Sequence, residues 1–195
     1  WALGKFAIDP GPQLIKAMFR RALAIMDKFE RHDISTLMST LMALKISPPT
    51  EVASAISKQA SVRAKDFNPQ WIASLIWAYG NLDVKIPQIL AKAMENRAVA
   101  TMAGFLPAEL SRFLWGFAKV AVHPGPELIQ AITERARSTG CDFESEELAN
   151  FLWALSKFGE SLSQELSEAM LDRSAAVVNS FKARDIATLV QGISV

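Results

Sequence analysis

Apolar residues recur along this chain at the three- and four-residue spacing of a single helical face, in bursts of about three turns separated by turn-forming residues. In the segment 143–158, FESEELANFLWALSKF, Leu148, Phe151, Leu152, Leu155 and Phe158 cover one broad side of a helix, with the small Ala149 and Ser156 beside them. Ser145, Glu146 and Glu147 place cap-competent and acidic residues where that helix begins. Ahead of it, Leu128, Ile129, Ile132 and Ala136 mark another helix from Glu127 to about Thr139, opened by the break at Pro124, Gly125 and Pro126 and stopped near Gly140. No stretch sustains the alternation of a strand, so the elements read helix A, turn, helix B.

The same unit returns with a fixed period. Phe29, Phe67, Phe105, Phe143 and Phe181 are 38 residues apart every time, and a tryptophan recurs in register at Trp1, Trp77, Trp115 and Trp153. Ala17, Ala55, Ala93, Ala131 and Ala169 form another column, as do Ile34, Ile72, Leu110, Leu148 and Ile186. In other units Asn68-Pro69 offers an N-cap followed by proline at the first helical position, and Pro107 plays the same part. A strict period of this length specifies a solenoid, in which each unit buries its apolar face only against its neighbours. The expected fold is all-α: a right-handed α-solenoid of about five 38-residue helix-turn-helix repeats, with periods 1–38, 39–76, 77–114, 115–152 and 153–190, and residues 191–195 opening the next. Both ends fall at the tryptophan phase, midway through a B helix, so the chain reads as a window from a longer protein.

Function is then to be sought along a surface. The strip of helix B opposite the large apolar columns holds Thr36, Ser74, Arg112, Asn150 and Thr188; then Thr40, Ala78, Gly116, Ala154 and Gly192; then Lys5, Ala43, Asn81, Lys119 and Lys157. It reads polar, small, polar, and it varies between repeats. A constant scaffold that presents a different side chain per unit has the form of a modular reader, and a solvated helix face has the same form. The tryptophans sit in an apolar run beside small residues, a setting for packing between repeats more than for base stacking. Trp71 differs, because it stands in a column otherwise held by Asp33, Glu109, Glu147 and Asp185, and it is a candidate stacking platform.

Arg21, Arg97, Arg135 and Arg173 form a basic ladder broken by Gln59. A phosphate track is one reading. The repeat that lacks the arginine is also the one that has Trp71 in place of the acid, which favours an arginine-carboxylate bridge within each of the other repeats. The outer face of helix A drifts in charge, from Lys16 and Arg20 through Ser54 and Lys58, Lys92 and Asn96, and Gln130 and Glu134, to Glu168 and Asp172.

Composition narrows the partners without naming one. Lys plus Arg number 21 against 20 Asp plus Glu, a formal charge of +1, so no global field selects nucleic acid or acidic lipid. No apolar run reaches the roughly 18 residues of a membrane span, and membrane insertion is not expected. The single cysteine, Cys141, forms no intrachain disulfide framework. His32 and His123 occupy different phases of the repeat, and no phosphate-binding glycine loop or zinc-ligand spacing occurs. No catalytic residue, metal site or cofactor is nominated, and the chain is not expected to be an enzyme.

The segments FNPQWIASLIWAYGNL (67–82), FLPAELSRFLWGFAKV (105–120) and FESEELANFLWALSKF (143–158), at a 38-residue period, resemble the octotricopeptide repeat family of helical RNA-binding proteins from algal and protist organelles, related to repeat regions of RAP-domain and FAST-kinase-like proteins. Tetratricopeptide units are shorter, at about 34 residues. Ser39 and Gln191 depart from the tryptophan column. The resemblance implies work on RNA in a mitochondrion or chloroplast: stabilisation, processing, translation or ribosome assembly. On this reading single-stranded or ribosomal RNA lies along the helix-B surface, with Lys5, Arg112, Lys119 and Lys157 on phosphates or bases and Thr36, Ser74, Asn81, Asn150 and Thr188 bonding base edges. The alternative is a protein-interaction scaffold in an organellar ribosome or other large complex, which the near-zero net charge favours.

Overall fold

A computed structural model describes residues 11–159 and 163–193, and in them the chain is an all-α, solenoid-like repeat. The A helices are α1 (Gly11–Ala24), α3 (Thr50–Val62), α5 (Gln88–Thr101), α7 (Pro126–Ser138) and α9 (Gln164–Ala176). They alternate with the B helices α2 (Arg31–Ala43), α4 (Pro69–Leu82), α6 (Pro107–Lys119), α8 (Ser145–Phe158) and α10 (Ala183–Ile193). Each A helix tightens into a short 3-10 turn (Met26–Lys28, Ala64–Asp66, Met102–Gly104, Gly140–Asp142, Val178–Ser180) before the phenylalanine column, so the stop foreseen at Gly140 is a winding change shared by every unit. Phe67, Phe105 and Phe143 are fully buried and extended in backbone, each anchoring the link between its two helices. Burial of one such side chain contributes about 1.5–3 kcal/mol.

The B helices begin on caps written in the sequence. Asp33 accepts from the Glu30 N–H at 3.0 Å, Glu109 from Leu106 at 2.8 Å, Glu147 from Glu144 at 2.9 Å and Asp185 from Lys182 at 3.0 Å. Where Trp71 replaces the acid, the cap reverses: Asn68 Oδ1 accepts from the Trp71 N–H at 2.9 Å. Burial pushes the Glu147 carboxyl above its ordinary range, while the Glu144 N–H and the nearby Arg112 pull it back. The B helices end on a second periodic feature, a left-handed residue at Lys45 (φ 55°), Asp83 (52°), Ala121 (55°) and Gly159 (68°). The next residue's N–H then reaches back five positions, from Ile46 to Leu41, Val84 to Tyr79 and Val122 to Phe117, closing a Schellman turn on side chains that disfavour it.

The arginine ladder joins repeats, and its partner is backbone. Arg97 Nε donates to the Phe67 carbonyl at 2.7 Å, Arg135 Nε to Phe105 at 2.8 Å and Arg173 Nε to Phe143 at 2.6 Å. Gln59, the exception in the column, does the same with its amide, donating to the carbonyls of Phe29 at 2.9 Å and Asp27 at 3.1 Å. The arginine-carboxylate bridges do not form: among the described residues the ion pairs are His32 with Asp33 and Lys92 with Glu95. The acids are occupied as caps, and the joint departure of Gln59 and Trp71 reflects two separate solutions to two backbone requirements.

Consecutive B helices pack more intimately than consecutive A helices. The small column lies in that contact, against expectation: Ala78 and Ala154 are fully buried and Gly116 is buried, because each B helix presses this column against its predecessor. At Gly116 a Cβ would stand 2.5 Å from the Ile76 carbonyl oxygen, and at Gly80 it would stand 3.0 Å from the Gly116 Cα. Ser35 Oγ adds a bond to the Trp71 carbonyl, and the buried Tyr79 hydroxyl, its pKa pushed up to about 12 by burial, pairs with Ser57 Oγ at 2.7 Å.

Three outcomes in urea unfolding check this frame. Gly116→Ala destabilises by about 1–3 kcal/mol through overpacking. Ala121→Gly stabilises by about 1 kcal/mol by relieving the left-handed conformation. Arg135→Ala costs about 1.5–3 kcal/mol and Arg135→Gln substantially less, while a double-mutant cycle of Arg135 with Glu147 yields coupling under about 0.5 kcal/mol; larger coupling would restore the ion pair.

Candidate nucleic-acid interface

With the small column turned inward, two polar columns remain on the B surface and sit at one phase of helices packed side by side. In the first, Thr36 and Arg112 are exposed and Ser74, Asn150 and Thr188 are half-buried; in the second, Ala43, Asn81, Lys119 and Lys157 are exposed. Asn81 Nδ2 donates to the Trp77 carbonyl at 2.8 Å and Thr188 Oγ1 to the Arg184 carbonyl at 2.9 Å, so each is oriented by its own helix. Lys5 and Trp1 lie outside the described residues.

Between these columns and the inter-helix contact runs a row of indoles. Trp77 and Trp115 have ring centroids 4.2 Å apart, and Trp115 and Trp153 are 6.3 Å apart. The tryptophans therefore pack repeat against repeat, as their apolar setting foretold. Trp115, flanked on both sides, is nearly buried, whereas Trp77 and Trp153 keep part of their surface in solvent. One turn on, Lys119 Nζ stands 5.6 Å from the Trp115 ring and Lys157 Nζ 5.7 Å from the Trp153 ring. A cation over an indole face is attracted by the ring quadrupole and keeps its outer side for an anion. Arg112, Lys119 and Lys157 form no ion pair among the described residues, although the field of Arg112 reaches Glu147 on the next helix.

Trp71 belongs to a different place. It is half-buried where the N-terminal ends of α2 and α4 meet, and the Arg31 guanidinium carbon lies 4.8 Å from its ring centroid. One ring face is thus already covered. Arg31 drew no notice in the sequence because its column, shared with Pro69, Pro107, Ser145 and Ala183, carries no chemistry elsewhere. The signal was that two columns break at one junction.

The family model described as RNA-editing substrate-binding complex 6 protein matches residues 11–195, nearly the whole chain. The chain belongs to this family. The family points to an RNA-associated helical protein, which is what the resemblance shared with it; the octotricopeptide and RAP assignments are not what the chain matches. Among curated proteins no relative matches. No helix of the described residues is long and apolar enough to cross a membrane.

The indole row predicts unequal costs. Trp115→Ala, which removes a ring packed on both sides, loses about 3–5 kcal/mol, and Trp153→Ala loses less. Equal losses in urea unfolding would count against the row as a continuous stack.

Proposed function

We propose that this chain is a non-catalytic RNA-binding component of an RNA-editing complex, carrying single-stranded RNA along the B-helix surface. The observation that carries the reading is the withdrawal of every regular feature into the frame. Phenylalanine, tryptophan, caps and the ladder arginines Arg97, Arg135 and Arg173 have structural partners, and the variable strip with Arg112, Lys119 and Lys157 is what stays open. The family's description, which names an RNA-editing substrate-binding complex, supplies the RNA context. The B helices pack side by side more closely than the A helices, and a strand laid across them meets successive repeats at a regular step. Thr36, Ser74, Asn81, Asn150 and Thr188 would then offer hydrogen bonds to base edges, and the cations would hold phosphates. The compartment this reading carries is the mitochondrion.

The outer A face supports a second contact, with protein. Its exposed residues run from Lys16 and Arg20 to Glu168 and Asp172, a charge gradient that orients a complementary subunit without competing for the B surface.

RNA affinity measured against salt tests the first reading. For a single strand, log K falls with log salt by about 0.7 per phosphate contact, so Arg112→Ala/Lys119→Ala/Lys157→Ala flattens the slope by about 2 and weakens binding. An unchanged slope would remove RNA from the B surface.

A further inference from the structure

The junction between the first two B helices departs from the other described junctions in two residues at once. Elsewhere the first residue of a B helix is Pro69, Pro107 or Ser145, and the position on the next B helix that corresponds to Trp71 holds an acid, Glu109, Glu147 or Asp185, spent on its cap. Here the first residue is Arg31 and the facing residue is Trp71, with the capping task moved to Asn68. The exchange removes the one carboxylate that would have stood opposite the guanidinium and replaces it with an aromatic plane.

The consequence is a cation that is positioned and unsatisfied. Trp71 holds the guanidinium over its ring, with the guanidinium carbon 4.8 Å from the ring centroid. No acceptor among the described residues takes the Arg31 N–H groups, and because Nε is shut from solvent the two terminal nitrogens are the donors that a ligand can reach. The carboxylates nearest in sequence do not neutralise it: Asp33 accepts from the Glu30 N–H and lies 3.1 Å from His32 Nε2, and neither Glu30 nor Asp33 pairs with Arg31. A phosphate accepts two parallel N–H bonds from the terminal nitrogens of a guanidinium. The N-termini of α2 and α4 add positive potential at the same edge.

We propose that Arg31, held over the Trp71 ring between α2 and α4, grips a phosphate of the bound RNA where the strand passes off the B surface at the N-terminal ends of these helices. This rests on the RNA reading above and adds a contact outside the strip. It also reassigns Trp71, which backs the arginine rather than receiving a base.

The test is the salt dependence of binding to a single-stranded oligouridine long enough to span the array, on the full chain, with Arg31→Gln, Arg31→Lys and Trp71→Glu. The last variant restores the acid that the column carries elsewhere, so it keeps the fold while placing a carboxylate against Arg31. Arg31→Gln and Trp71→Glu each flatten the slope by about 0.7, the value of one phosphate contact, and Arg31→Lys retains most of it. Slopes equal to wild type in Arg31→Gln and Trp71→Glu, with only thermal stability changed, make the stack an inter-helix fastening and overturn the proposal. If the Arg112/Lys119/Lys157 variant still flattens the slope in that case, the RNA reading survives alone; a wild-type chain that binds no oligouridine at low salt overturns both.

Discussion

A backbone carbonyl left open ahead of every B helix is the requirement around which this array is built. The 3-10 turn and the extended phenylalanine after it bury a side chain efficiently, but they strand a carbonyl oxygen at the seam between repeats. The next repeat supplies the donor from its A helix, 30 residues on, at Phe29, Phe67, Phe105 and Phe143 alike. An arginine is suited to this because its long stem packs while its head bonds, and Gln59 shows that a neutral amide suffices. Where a successor is present, it completes the repeat before it.

The helical period and the burial of phenylalanine and tryptophan were legible because side-chain chemistry itself carried them. The partner of the arginine was not, since a carbonyl belongs to every residue and leaves no mark in a column. The coincidence of Gln59 with Trp71 pointed to an ion pair, and that pointer misled: the carboxylates Asp33, Glu109, Glu147 and Asp185 were already occupied within their own turns. The small column was placed on the open strip because a helical wheel of one helix knows nothing of its neighbours. Gly116 and Ala78 belong to a surface only while the adjacent B helix is ignored. Lys45, Asp83 and Ala121 gave no sign of a left-handed turn, because the position is glycine only at Gly159.

What the frame leaves over is narrow. Positive charge near balance in the whole chain becomes local once Arg97, Arg135 and Arg173 are withdrawn into seams: Arg112 and Lys119 stand on α6 and Lys157 on α8, two consecutive B helices, and the two lysines lie over indoles. The B surface thus gains a cationic line in its middle repeats while the outer A surface carries charge of both signs along its length. The family's description names an RNA-editing substrate-binding complex, and the proposed division puts RNA on one face and protein on the other.

Ultraviolet crosslinking of the native complex, with RNA-modified peptides identified by mass spectrometry, bears most directly on this division. Adducts concentrated on the B helices, within residues 74–81, 112–119 and 150–157, are the expected result. Adducts confined to the outer faces of the A helices, or RNA crosslinks on other subunits with none on this chain, would contradict it.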